Sequence, residues 1–90
     1  LTNAILTGAD LSNAVLTGTI LAGADLENAN LEGAQFNEDT LFNQTNLKGA
    51  NLTSATGLSS TQLNQTLINK ETRLPDYLDE EMDDDFLLQF

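Results

Sequence analysis

The chain has 90 residues, with 14 acidic against three basic side chains, a formal net charge of −11, no histidine and no cysteine. That balance argues against nucleic acid as a ligand, because phosphate binding needs clustered Lys and Arg. It also removes disulfides, thiol chemistry and the commonest general base and metal ligand, and no apolar run approaches the roughly twenty residues that span a bilayer.

From the first position an apolar residue recurs every fifth place: Leu1, Leu6, Leu11, Leu16, Leu21, Leu26, Leu31 and Phe36. The ladder resumes at Phe42, Leu47 and Leu52. A small residue stands two places before almost every rung, as Ala4, Ala9, Ala14, Thr19, Ala24, Ala29, Ala34, Thr40, Thr45 and Ala50. Fixed-period self-similarity of this kind signals a solenoid. Residues two apart share a face in extended chain, so Ala24 and Leu26 point in while Asp25 and Glu27 point out. An odd period would flip the next pair outward unless a corner reset the parity. Gly8, Asn13, Gly18, Gly23, Asn28, Gly33, Gly49 and Ser54 supply turn-prone residues at those corners.

Ala9-Asp10-Leu11-Ser12-Asn13, Ala24-Asp25-Leu26-Glu27-Asn28, Ala29-Asn30-Leu31-Glu32-Gly33 and Ala50-Asn51-Leu52-Thr53-Ser54 resemble the pentapeptide-repeat family, whose unit reads A-(D/N)-L-x-x. The resemblance covers Leu1 to about Ala55. It implies an all-β solenoid, a right-handed quadrilateral β-helix with four units per coil and nearly three coils here. Leu1, Leu21 and Phe42 then share one side, Leu6, Leu26 and Leu47 the next, Leu11, Leu31 and Leu52 another, and Leu16 and Phe36 the remaining one. At ladder spacing the tower is on the order of 15 Å tall. Phe36 to Phe42 is one residue too long. Taking Phe42 as the rung puts Thr40 inside, whereas Leu41 would bury the Asp39 carboxylate at a cost. The extra residue therefore lies in Asn37-Glu38-Asp39, as a bulged corner.

Residues 57–75 read as a C-terminal cap. Ser59 with Gln62 makes a capping box, bracketed by Leu58 and Leu63 as a hydrophobic staple. A helix from about Ser60 to Asn69 follows, stopped by Pro75. Residues 76–90 form an acidic, apolar-ended tail with seven of the 14 acids. Leu78, Met82, Phe86 and Phe90 fall four apart, a helical stripe that would dock on this solenoid or a neighbouring chain. Because the chain opens on a leucine already in register, further coils or another domain are expected upstream.

Outward residues before each rung are mostly polar, but Ile5, Val15, Ile20 and Leu41 are apolar. Ile20 and Leu41 belong to one side and Val15 to the next, a candidate interaction surface for a protein partner or a second copy. No catalytic or cofactor residues are expected: Asp25 and Glu27 face solvent on a convex side. No metal site is expected either, since Asp83-Asp84-Asp85 lacks the spacing of a calcium loop. The residues point to a non-enzymatic interaction or scaffold module, the C-terminal part of a larger bacterial protein. Family resemblance adds cyanobacteria as a source and a second reading, a DNA mimic that modulates DNA gyrase. A remote third reading makes the solenoid an appendix of an enzyme whose catalytic part lies upstream.

Overall fold

The computed structural model describes residues 1–79. Its backbone winds in coils joined by isolated parallel bridges. Ile5 pairs with Asp25, Asp10 with Asn30 and Val15 with Gln35, each twenty residues on, so one circuit takes four five-residue units. The first side stacks Ile5, Asp25, Asn46 and Leu67. The second stacks Asp10, Asn30, Asn51 and Arg73. The third carries Val15, Gln35 and Thr56, and the fourth Ile20 and Leu41. Each bridge follows the slanted parallel pattern: the Leu6 amide donates to Asp25 O at 2.8 Å, and the Asp25 amide donates back to Ala4 O at 2.8 Å.

Corners limit each extended stretch to a few residues. After Leu6, the Ala9 amide donates to Leu6 O at 3.0 Å and closes a turn whose third residue, Gly8, has φ +70. That position needs a left-handed residue, and Asn13, Asn28, Gly33 and Gly49 hold equivalent places. Asn3 and Gln44 do the same work (φ 59 and 60) without having stood out in the sequence. The corner after Phe36 is different. There the Thr40 amide donates to Asn37 O at 3.1 Å, and Asn37 Oδ1 accepts from the Asp39 amide at 3.1 Å. The side chain thus replaces the left-handed residue with an Asx-type turn. Thr40 is buried and Phe42 fully so, while Leu41 is exposed. The lone hydroxyl of Thr40 is satisfied by donation to Leu16 O at 2.9 Å.

Inside, Leu21, Leu26, Leu31, Phe42, Leu47 and Leu52 lose all solvent contact, with Ala24, Ala29, Ala34 and Ala50 filling the gaps beside them. Each such leucine contributes about 1.5–3 kcal/mol by burial. The rings of Phe36 and Phe42 meet at 5.3 Å between centroids, tilted by 53°.

Beyond the third coil the helix is shorter than expected. α1 spans Ser60–Leu63, with the Ser59–Gln62 capping box formed, and does not continue to Asn69. Leu67 instead bridges Asn46, and Arg73 bridges Asn51. The Leu67 and Leu47 amides make ladder bonds to Thr45 O (2.9 Å) and Leu67 O (2.8 Å). Satisfying the open backbone of the coil above outweighs the local helical spacing of Leu63 and Leu67. Ile68 and Leu74 are buried as further rungs. Between them Asn69-Lys70-Glu71-Thr72 repeats the long corner. The Glu71 amide donates to Asn69 Oδ1 at 3.1 Å, and Thr72 Oγ1 donates to Leu47 O at 2.9 Å. α2, Asp76–Asp79, follows, with Leu78 buried in the core cluster.

Candidate interaction surface

The residue before each rung points outward, and its chemistry decides how the next corner is held. Where it is Asp or Asn, its side chain accepts from the amide two residues on. Asp10 holds Ser12, Asp25 holds Glu27, Asn30 holds Glu32, Asn46 holds Lys48 and Asn51 holds Thr53, all at 3.0–3.1 Å. This is the physical reason for the D/N in the repeat. Ile5, Val15, Ile20 and Leu41 cannot make that bond, so each gives up a local contribution of about 0.5–1.5 kcal/mol.

Ile20 and Leu41 are directly bridged on the fourth side and are 48% and 47% exposed. Val15 lies round the corner on the third side and is 65% exposed. Ile5, although exposed, is separated from Leu67 on its own side by Asp25 and Asn46. The corner between the third and fourth sides carries Glu38 and Asp39, so the apolar patch has an acidic rim.

The other coil acids do not form a row. Asp10 is on the second side, Asp25 on the first, and Glu27 and Glu32 on two different corners. Asn46 Nδ2 donates to Glu27 Oε2 at 3.2 Å and approaches Asp25 Oδ1 at 3.4 Å. Asp10 has its pKa lowered below the ordinary carboxylate value, first by the Ser12 hydroxyl at 2.8 Å and then by the Ser12 amide.

Of the tail stripe, Leu78 is buried in the chain's own core cluster, while Met82, Phe86 and Phe90 lie outside the described residues. Sequence reasoning missed Tyr77, whose hydroxyl accepts from the Leu58 amide at 3.0 Å. A groove of about 350 Å³ runs between Thr53, Ala55 and Thr56 on one wall and Pro75, Asp76 and Tyr77 on the other. Among the described residues no group of His, Cys, Asp and Glu is placed to hold a metal ion.

The family model for pentapeptide repeats matches eight copies over residues 1–33. The chain carries pentapeptide repeats across residues 1–33. Its coil is accordingly the right-handed quadrilateral β-helix of pentapeptide-repeat proteins. Among solved structures, the chain is similar to a pentapeptide-repeat protein (Rfr23) from the cyanobacterium Cyanothece 51142. The identity is 40% over 82% of this chain and 46% of that one, with a TM-score of 0.42. It is also similar to full-length QnrB1, a plasmid-mediated fluoroquinolone resistance protein, at 21% identity over 90% of this chain and 41% of that one, with a TM-score of 0.52. The chain spans less than half the length of either. No curated protein matches it.

Proposed function

We propose that this pentapeptide-repeat segment is a non-enzymatic protein-interaction module within a larger protein. The observation that carries the reading is the Ile20–Leu41 pair. Both stand where five other units place Asp or Asn, both forgo the corner hydrogen bond, and both are stacked and half exposed. Local stability is given up most readily where a surface is used. With Val15 beside them and Glu38 and Asp39 at the rim, the patch fits a partner that presents an aliphatic strip flanked by basic residues. The acidic residues from 76 to 90 add steering toward such a partner. Residues 57–75 serve as the C-terminal cap, with Leu63 and Ile68 fully buried within it.

The test is the double variant Ile20→Glu, Leu41→Glu. Both side chains face solvent, so the fold and its thermal midpoint stay close to those of the parent while partner capture is lost. Retained capture by a folded double variant removes the reading.

A second reading, a duplex-DNA mimic acting on DNA gyrase, is supported by the likeness in fold to the fluoroquinolone resistance protein. It ranks second because a mimic needs dense acidic rows, one charge per roughly 1.7 Å of axis, and the coil acids are scattered over sides and corners. A supercoiling assay with purified gyrase separates the two: inhibition would promote the mimic, and no effect would leave the interaction module.

A further inference from the structure

The three basic side chains of the sequence, Lys48, Lys70 and Arg73, gather at one corner of the tower. Lys48 sits in the corner after Leu47, between the first and second sides. The Gly49 amide donates to Asn69 Oδ1 at 3.1 Å, which puts the Asn69–Thr72 corner, and Lys70 within it, one layer below Lys48. Arg73 follows on the second side, bridged to Asn51. On the first side, bridged to Asn46, stands Leu67, 43% exposed. An exposed leucine is thus flanked by three exposed cations.

Two acids share this corner. Glu71 is next to Lys70, and Glu27, one layer above Lys48, is engaged by Asn46 Nδ2. Positive charge still prevails here, in a chain whose formal net charge is −11. The corner between the third and fourth sides has the opposite character. It carries Glu38 and Asp39, both exposed, beside exposed Leu41. A four-sided coil sets these two corners diagonally across from each other. They cannot meet within one molecule, but they can meet between two.

We propose that the occupant of the Ile20–Leu41 patch is a second copy of this chain, which brings Leu67 to Leu41 and sets Lys48 and Lys70 against Glu38 and Asp39. The inference rests on the reading of that patch as an interaction surface, and names its partner. Like corners repel and unlike corners attract, so charge selects this pairing over others. Because the two surfaces differ, the contact is heterologous. Each added copy leaves a free acidic corner at one end and a free basic corner at the other, and association runs on past the dimer. A side of the described tower measures at most 30 × 20 Å. That keeps the total buried area near the roughly 1,200 Å² at which stable interfaces begin, so the association is weak and reversible.

Sedimentation equilibrium of the full chain tests the pairing, at high protein concentration and low salt. The parent's average mass should climb with concentration, and added salt should reverse the climb. Lys48→Glu, Lys70→Glu and, separately, Glu38→Lys, Asp39→Lys should each weaken self-association at least about tenfold. All four side chains are exposed, so circular dichroism should match the parent. The first variant is more acidic than the parent and the second less so, and net charge alone would move them in opposite directions. An equimolar mixture of the two variants should associate again, because each reversed corner then finds its complement. A monomeric parent would overturn the copy-to-copy pairing, as would variants that associate like the parent or a mixture that stays monomeric. The patch itself would survive that result if a crosslinker at Leu41 captured a different protein, and would fall with it if nothing were captured.

Discussion

Asn37 Oδ1 accepts the amide of Gly18, 2.9 Å away and one coil above. The same carboxamide holds the Asp39 amide, and Thr40 beside it reaches Leu16 O. From the next layer Gln62 Nε2 donates to both Asn37 O (2.8 Å) and Thr40 O (3.0 Å). The insertion that looks like a flaw in the repeat is therefore a polar rivet through three layers. Thr40→Val keeps the volume but leaves the part-buried Asn37 amide without its Thr40 acceptor and Leu16 O with the Thr19 amide alone. Loss of about 1–3 kcal/mol is expected, read from urea denaturation. Thr72→Val should behave alike, because Thr72 Oγ1 holds Leu47 O in the second corner of this type.

The glycine corners separate conformational from steric cost. Gly8→Ala meets open space and bears only the left-handed penalty, about 1–2 kcal/mol. Gly33→Ala bears the same penalty and also collides with the Asn13 side chain. It should be the more damaging of the two by thermal midpoint, and Asn13→Gly, which keeps the left-handed corner while removing the side chain, should relieve part of the difference.

Asp10 offers a pH test. Its folded pKa is lowered by the Ser12 hydroxyl and amide. A lowered carboxylate contributes stability that is present above the unfolded value, about 3.9, and is lost as pH falls through the folded value. Ser12→Ala removes the larger cause, so the Asp10 carboxyl resonance should titrate at higher pH than in the parent. The midpoint of unfolding should then depend less on pH below that range.

α2 ties the C-terminal end to the coil through two contacts. Leu78 is 1% exposed, and Tyr77 accepts from the Leu58 amide. Leu78→Ala should cost about 2–5 kcal/mol and Tyr77→Phe about 0.5–1.5 kcal/mol. Thermal and urea unfolding check both. A truncation meant to isolate the acidic tail should consequently keep residues through Asp79, since ending at Leu74 would also remove this contact.

Much of the coil was legible because its period is local. Leucine spacing placed the rungs, small residues marked the interior, and the cost of burying Asp39 chose Phe42 over Leu41. What stayed hidden is the return to the ladder after α1. Leu63, Leu67 and Ile68 have helical spacing, and only the open backbone of the coil above turns Leu67 into a bridge to Asn46. A signal was present all the same. Ile68-Asn69-Lys70-Glu71-Thr72-Arg73-Leu74 repeats Phe36-Asn37-Glu38-Asp39-Thr40-Leu41-Phe42 in its rungs, its Asn and its Thr. The apolar patch was legible as an exception to a rule, and its geometry became visible once Ile20 and Leu41 were paired. Tyr77 was not, because a single phenol beyond the repeat has no period to mark it.

The most direct test of the interaction surface is site-specific photo-crosslinking in source cells, with the reactive residue at Leu41 or, separately, at Asn51 on the second side. The account predicts one protein adduct from position 41, lost on adding Ile20→Glu, and none from position 51. Adducts from position 51 with none from position 41 would contradict it.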